Sequence, residues 1–130
     1  MAIPITGLYV GVLTLFLLVL GNEVVFLRRS RKISLGFGGD KDLGRAIRVH
    51  GNFAENVPFA LLVLGALELS GAPVWELHAF GGTVIASRVL HRLGLRGRGG
   101  LSVGRFWGMT ALWVAMGVGA IDLIRRSVFP

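Results

Sequence analysis

The sequence contains no cysteine, so a disulfide framework, a cysteine-ligated metal and a cysteine nucleophile are all excluded. Any thiol chemistry has to bring its thiol from outside. Acidic residues are scarce as well, seven against fourteen Lys and Arg, which leaves a formal charge of +7. A charge of that size can mark a nucleic-acid binder. Here, however, the basic residues sit between long apolar segments rather than on an exposed motif, which points to membrane topology and away from nucleic acid. No internal repeat and no second domain are visible, so residues 1–130 read as one unit. The first apolar stretch, Ile3 to Leu27, lacks a basic n-region and has no small-residue cleavage site before Arg28; it is expected to be a retained helix.

What is abundant is apolar surface. Hydrophobic residues make up 53% of the chain and the mean hydropathy is +0.69, far above a soluble average. A bilayer core about 30 Å thick needs about 20 apolar residues per helix, so four spans use about 80 to 90 residues and leave only short connections. Four segments fit: Pro4 to Leu27, Ala46 to Leu69, Pro73 to Leu95, and Val103 to Ile124. The expected fold is an all-α integral membrane four-helix bundle. Arg28 to Arg45, with Gly36, Gly38 and Gly39, reads as a flexible loop, and Ser70, Gly71 and Pro73 as a tight turn making helices two and three a hairpin. The stretch Gly94 to Gly104, with Arg96, Gly97, Arg98, Gly99 and Gly100, reads as a mobile connection.

Twelve of the fourteen Lys and Arg lie from Arg28 to Arg48 or from Arg88 to Arg105, against only Arg125 and Arg126 on the other side. The positive-inside rule therefore predicts cytoplasmic first and third connections, with both termini on the opposite side. The basic face also suits anionic lipid.

Arg48, Asn52 and Glu55 are spaced four and then three residues apart and share one helix face. Such residues are expensive in hydrocarbon and usually face a bundle interior or a wet cavity. Together they offer a guanidinium for a carboxylate, an amide that donates and accepts, and a carboxylate for an ammonium, a set suited to a zwitterionic peptide. The alternative is an internal Arg48–Glu55 ion pair, bridged by Asn52, that holds helices together and binds nothing. His50 and Asn56 point to other parts of the helix, and Pro58 is expected to kink it. Arg88 and His91 share a face at the basic end of helix three, and Arg105 opens helix four, where it either reaches the same pocket or snorkels to the interface. Trp75, Trp107 and Trp113 read as interface or packing aromatics. Asn22 and Glu23 fit either an interhelical bond or a pocket wall.

The pattern Arg48-x-x-x-Asn52-x-x-Glu55-x-x-Pro58 resembles the signature of the MAPEG family, membrane-associated proteins in eicosanoid and glutathione metabolism. The resemblance extends over nearly the whole chain, through the Arg88-x-x-His91 step and Arg105. It is nearest to the small bacterial inner-membrane branch, through Arg45 to Pro58 and through Leu90-His91-Arg92-Leu93-Gly94-Leu95. It implies a homotrimer with glutathione as thiol co-substrate between neighbouring subunits near the cytoplasmic face. Arg48, Asn52 and Glu55 would bind the peptide from one subunit, Arg88 and His91 would contact it from the neighbour, and Arg28 or Arg29 would add a carboxylate contact. Arg105 would hold the thiolate, since a fixed positive charge beside the sulfur lowers its pKa. Leu95 stands where family enzymes often have tyrosine, Phe106 and Met109 replace hydroxyl residues of the prostaglandin synthase branch, and Phe26 stands near where some relatives carry a basic residue. The resemblance thus implies a glutathione transferase or peroxidase acting on hydrophobic small molecules rather than an eicosanoid isomerase. A non-catalytic membrane protein binding a thiol, lipid or partner subunit uses the same stripe, and a transporter fits less well because most charges lie toward one face.

Overall fold

A computed structural model describes residues 2–96 and 103–129. Residues 97–102, expected as part of a mobile connection, and the side chains of Leu95 and Arg96 lie outside the described residues. Four helices follow in order: α1 (Pro4–Arg31), α2 (Lys41–Leu69), α3 (Val74–Arg96) and α4 (Val103–Val128). α1, α2 and α4 are each long and apolar enough to cross a membrane. α3 is not, because Glu76, Arg88, Arg92 and Arg96 interrupt its apolar run. Its 23 residues still give it a length of about 35 Å, and the short turn after Leu69 folds it back along α2. The chain is thus an all-α integral membrane bundle in which α3 owes its place to its helical neighbours more than to lipid.

The first connection is shorter and better braced than the glycine content suggests. α1 runs on to Arg31 and stops at Lys32, whose φ of 55° is left-handed. α2 starts at Lys41, capped by Asp40, whose carboxylate accepts from the Leu43 N–H at 2.9 Å. Half of the expected loop from Arg28 to Arg45 is therefore helix. Between the helices, Gly36, Gly38 and Gly39 take positive φ values, which glycine adopts without a Cβ clash. The Arg28 guanidinium donates to the carbonyls of Ser34 (3.3 Å) and Gly36 (2.9 Å), and Arg31 pairs with Asp40 at 3.3 Å. The Asp40 cap and Asp42 in the first turn are the helix-start signal; it precedes the apolar run by more than a turn.

α1 begins without a cap of its own, since Ile3 has no side-chain oxygen. The Glu68 carboxylate, from the last turn of α2, accepts from the N–H groups of Ile5 (3.0 Å) and Thr6 (2.7 Å) instead. An acid at a helix N-terminus satisfies orphan donors and opposes the helix dipole.

α2 is the central element. Val49, Phe53, Val57, Ala60, Leu64 and Leu67 are buried along it at intervals of three and four residues, and they meet Leu13 and Leu20 of α1, Leu77, Phe80 and Val84 of α3, and Leu112 of α4. Pro58 lies inside α2 without ending it, although its missing N–H forfeits the bond to the Ala54 carbonyl. α1 and α4 each pack on α2 and α3, but among the described residues they do not touch each other. At the basic end α3 and α4 meet backbone to backbone: a Cβ on Gly108 would lie 2.7 Å from the Ser87 carbonyl oxygen and 2.9 Å from the His91 nitrogen. Small residues permit such contact between membrane helices.

Candidate functional site

That close α3–α4 contact fixes where Arg88 points. Its side chain is 2% exposed: Nη1 donates to Asn52 Oδ1 at 2.6 Å, Nε to Ser87 Oγ at 3.2 Å and Nη2 to the Met109 sulfur at 3.4 Å. All three acceptors are neutral, and among the described residues no carboxylate pairs with this guanidinium. A buried cation without a counter-ion makes its surroundings strongly attractive to an anion. One turn later His91 is also buried, and the charges of Arg88, Arg105 and Arg48 all bear on its ring.

The Arg88 bond orients Asn52. A guanidinium has no acceptor, so the amide atom facing it must be oxygen. Asn52 Nδ2 is then the atom left to donate elsewhere. A second pair is fixed in the same way: Trp113 Nε1 donates to Asn56 Oδ1 at 3.4 Å, and Asn56 Nδ2 donates to the Asn52 carbonyl at 2.9 Å. Arg105, Met109 and Trp113 are spaced four residues apart on one face of α4, from which Met109 meets Arg88 and Trp113 meets Asn56.

Arg48 and Glu55 lie on the exposed surface of α2 and form no ion pair with each other. The self-satisfied Arg48–Asn52–Glu55 network is therefore not formed; Asn52 is committed to Arg88 instead. Glu55 stands roughly 21 Å along the axis from the start of α2, within a helix long and apolar enough to cross a membrane, where a carboxylate is costly unless it is paired. Arg105 is half-buried at the start of α4. Arg28 is engaged by the first connection rather than presented toward the α2 stripe.

Sequence reasoning missed three participants. Ser87 and Met109 are the extra acceptors around Arg88, and neither type of residue suggests a ligand to arginine without the fold. Arg92 reaches α1 and pairs with Glu23 at 2.8 Å while lying over the Phe16 ring, so Glu23 makes an interhelical bond and also lines a cleft. Asn22 turns back to its own helix, donating to the Leu18 carbonyl at 2.9 Å. His50 packs beside Gly21 of α1. Phe106, in place of a hydroxyl, is exposed and meets the Trp107 ring edge-on.

Residues 6–124 match the model of a family described as the MAPEG family. The inner membrane protein YecN of Escherichia coli strain K12 is 35% identical over 112 residues, which covers 86% of this chain and 84% of that protein. YecN of Escherichia coli O6:H1 is similar to the same extent. No solved structure matches the chain.

Proposed function

The chain belongs to the MAPEG family, and from that premise we propose that it is a membrane-bound, glutathione-dependent transferase or peroxidase acting on hydrophobic electrophiles. The observation that carries this reading is the α2 stripe: an exposed arginine and, two turns on, an exposed glutamate on a membrane-length helix, with an asparagine between them whose orientation is already fixed. Arg48 takes a glutathione carboxylate, Glu55 takes the ammonium, and Asn52 Nδ2 donates to a peptide carbonyl. Arg105 stands beside the sulfur and stabilises the thiolate once the S–H proton has left to solvent. The thiolate then attacks an electrophilic carbon, expelling its leaving group, or takes an oxygen from a hydroperoxide, releasing the alcohol and leaving a sulfenic acid that a second glutathione converts to disulfide and water.

Arg88 acts here as a positioning residue, holding Asn52 from inside the same chain, with His91 next to it in the wall. Arg28 supports the site only through the loop it braces. Burial of the Arg48–Glu55 face by two further copies, in a homotrimer, gives these charges the cover that lipid does not. The membrane is a bacterial inner membrane, as the name of YecN states for that relative, with the first and third connections cytoplasmic.

The test is the ultraviolet absorbance of the thiolate on adding glutathione to purified protein, with Arg105→Ala alongside. A thiolate signal in the wild type that disappears in the variant supports the enzyme. Binding without a thiolate in either protein replaces it with a non-catalytic binding protein, the second reading of the same stripe.

A further inference from the structure

A second charged feature lies apart from that stripe. Where the end of α1, the start of α2 and the end of α3 meet, the chain encloses a cleft of about 280 Å³ whose charged wall is Glu23, Asp42, Arg45 and Arg92. Its other wall is apolar: Leu27, Ala46 and Val49. The charges are arranged in two pairs. Arg92 pairs with Glu23 at 2.8 Å and Arg45 pairs with Asp42 at 3.3 Å; Arg92, Glu23 and Arg45 are half-buried, and Asp42 is exposed.

In a chain of net charge +7 this cleft is formally neutral. The surrounding Arg28, Arg29, Arg31 and Lys32 attract any anionic lipid, but an anion entering the cleft meets two carboxylates, and a cation meets two guanidinium groups. A guest that carries both charges satisfies both pairs. The cleft sits at the level where α1 ends in basic residues, which is headgroup depth, and its apolar wall suits the carbon part of such a guest.

We propose that this cleft binds a zwitterion with a primary ammonium and a phosphate ester, the chemistry of a phosphatidylethanolamine headgroup. Phosphate oxygens go to Arg45 and Arg92, and the ammonium goes to Asp42 and Glu23. A quaternary choline has no N–H to give these carboxylates, and phosphatidylglycerol has no cation, so both are disfavoured.

The experiment is native mass spectrometry of the purified full chain equilibrated with equal amounts of phosphatidylethanolamine, phosphatidylcholine and phosphatidylglycerol, without glutathione and with no turnover measured. The wild type retains phosphatidylethanolamine about tenfold over the others, the expected effect of one charge-assisted contact. The Asp42→Asn/Arg45→Gln variant, which leaves the Glu23–Arg92 pair in place, loses that preference. Soluble phosphoethanolamine, added in a parallel arm, separates the sources: displacement of the lipid assigns the site to the polar group alone, and no displacement assigns it to the intact lipid. Equal retention of the three lipids, preference for phosphatidylglycerol, or selectivity unchanged in the variant overturns the proposal and leaves the cleft as a set of solvated ion pairs. None of these outcomes depends on whether the chain turns over glutathione.

Discussion

Arg88 Nη1 donates to Asn52 Oδ1 across 2.6 Å, joining α3 to α2 through a cation that is almost wholly enclosed. The bond fixes the face of Asn52 that remains free. Replacing Arg88 with Ala removes the donor and leaves Asn52 Oδ1 unpaired, a loss of about 1–3 kcal/mol. Denaturation in detergent is expected to register that loss. Glutathione binding should weaken at the same time, because the amide is free to flip, while the thiolate absorbance per bound glutathione should stay unchanged. Loss of the thiolate in Arg88→Ala would make Arg88 a direct partner of the sulfur rather than a positioning residue.

Gly108 tests how tightly α3 and α4 define the site. A Cβ there meets the Ser87 carbonyl and the His91 nitrogen, and backbone cannot yield as a flexible side chain does. Gly108→Ala should destabilise the protein by about 1–3 kcal/mol, the usual range for overpacking. Gly117→Ala, with nothing within 4 Å, serves as the control and should be neutral or slightly stabilising. Equal behaviour of the two variants in a chemical denaturation series would mean that the helices separate freely at this point.

Glu68 predicts a local effect at the far end of the bundle. It supplies the cap that Ile3 lacks, so Glu68→Ala should loosen the first turn of α1. Hydrogen exchange should rise at the amides of Ile5 and Thr6, the two that it accepts from, and stay constant in the middle of α1. Unchanged exchange at those two amides would show that the cap contributes nothing in the membrane.

Helix number, helix order and the polar character of α2 were legible in the sequence because membrane length and a three-and-four spacing are local properties. The four apolar segments agree with the helices to within a few residues, apart from the ends facing the first connection. There glycine content and charge point to loop, while the Asp40 cap keeps Lys41 and Asp42 helical and α1 runs on through Arg31. The site was legible as a set of residues and not as a set of contacts. Arg88 and Asn52 are 36 residues apart, Arg92 and Glu23 are 69 apart, and no local pattern says which cation meets which acceptor. Met109 could be read only as the absence of a hydroxyl. Its sulfur acquires a role once Gly108, beside it, brings α4 against α3.

Glu55 offers the sharpest separation of a ligand contact from a structural charge. Its carboxylate is exposed on a membrane-length helix and unpaired among the described residues, so it is positioned for an ammonium brought by a ligand. The variant alone is ambiguous, because Glu55→Gln removes a charge from whatever face it occupies. Pairing the variant with a glutathione analogue that lacks the α-amino group removes the ambiguity. The wild type should prefer glutathione over the analogue by about tenfold, as expected for a charge-assisted hydrogen bond. Glu55→Gln should bind both equally, at the affinity the wild type shows for the analogue. A preference that survives in Glu55→Gln would place the ammonium elsewhere and leave Glu55 as a contact between helices of neighbouring copies.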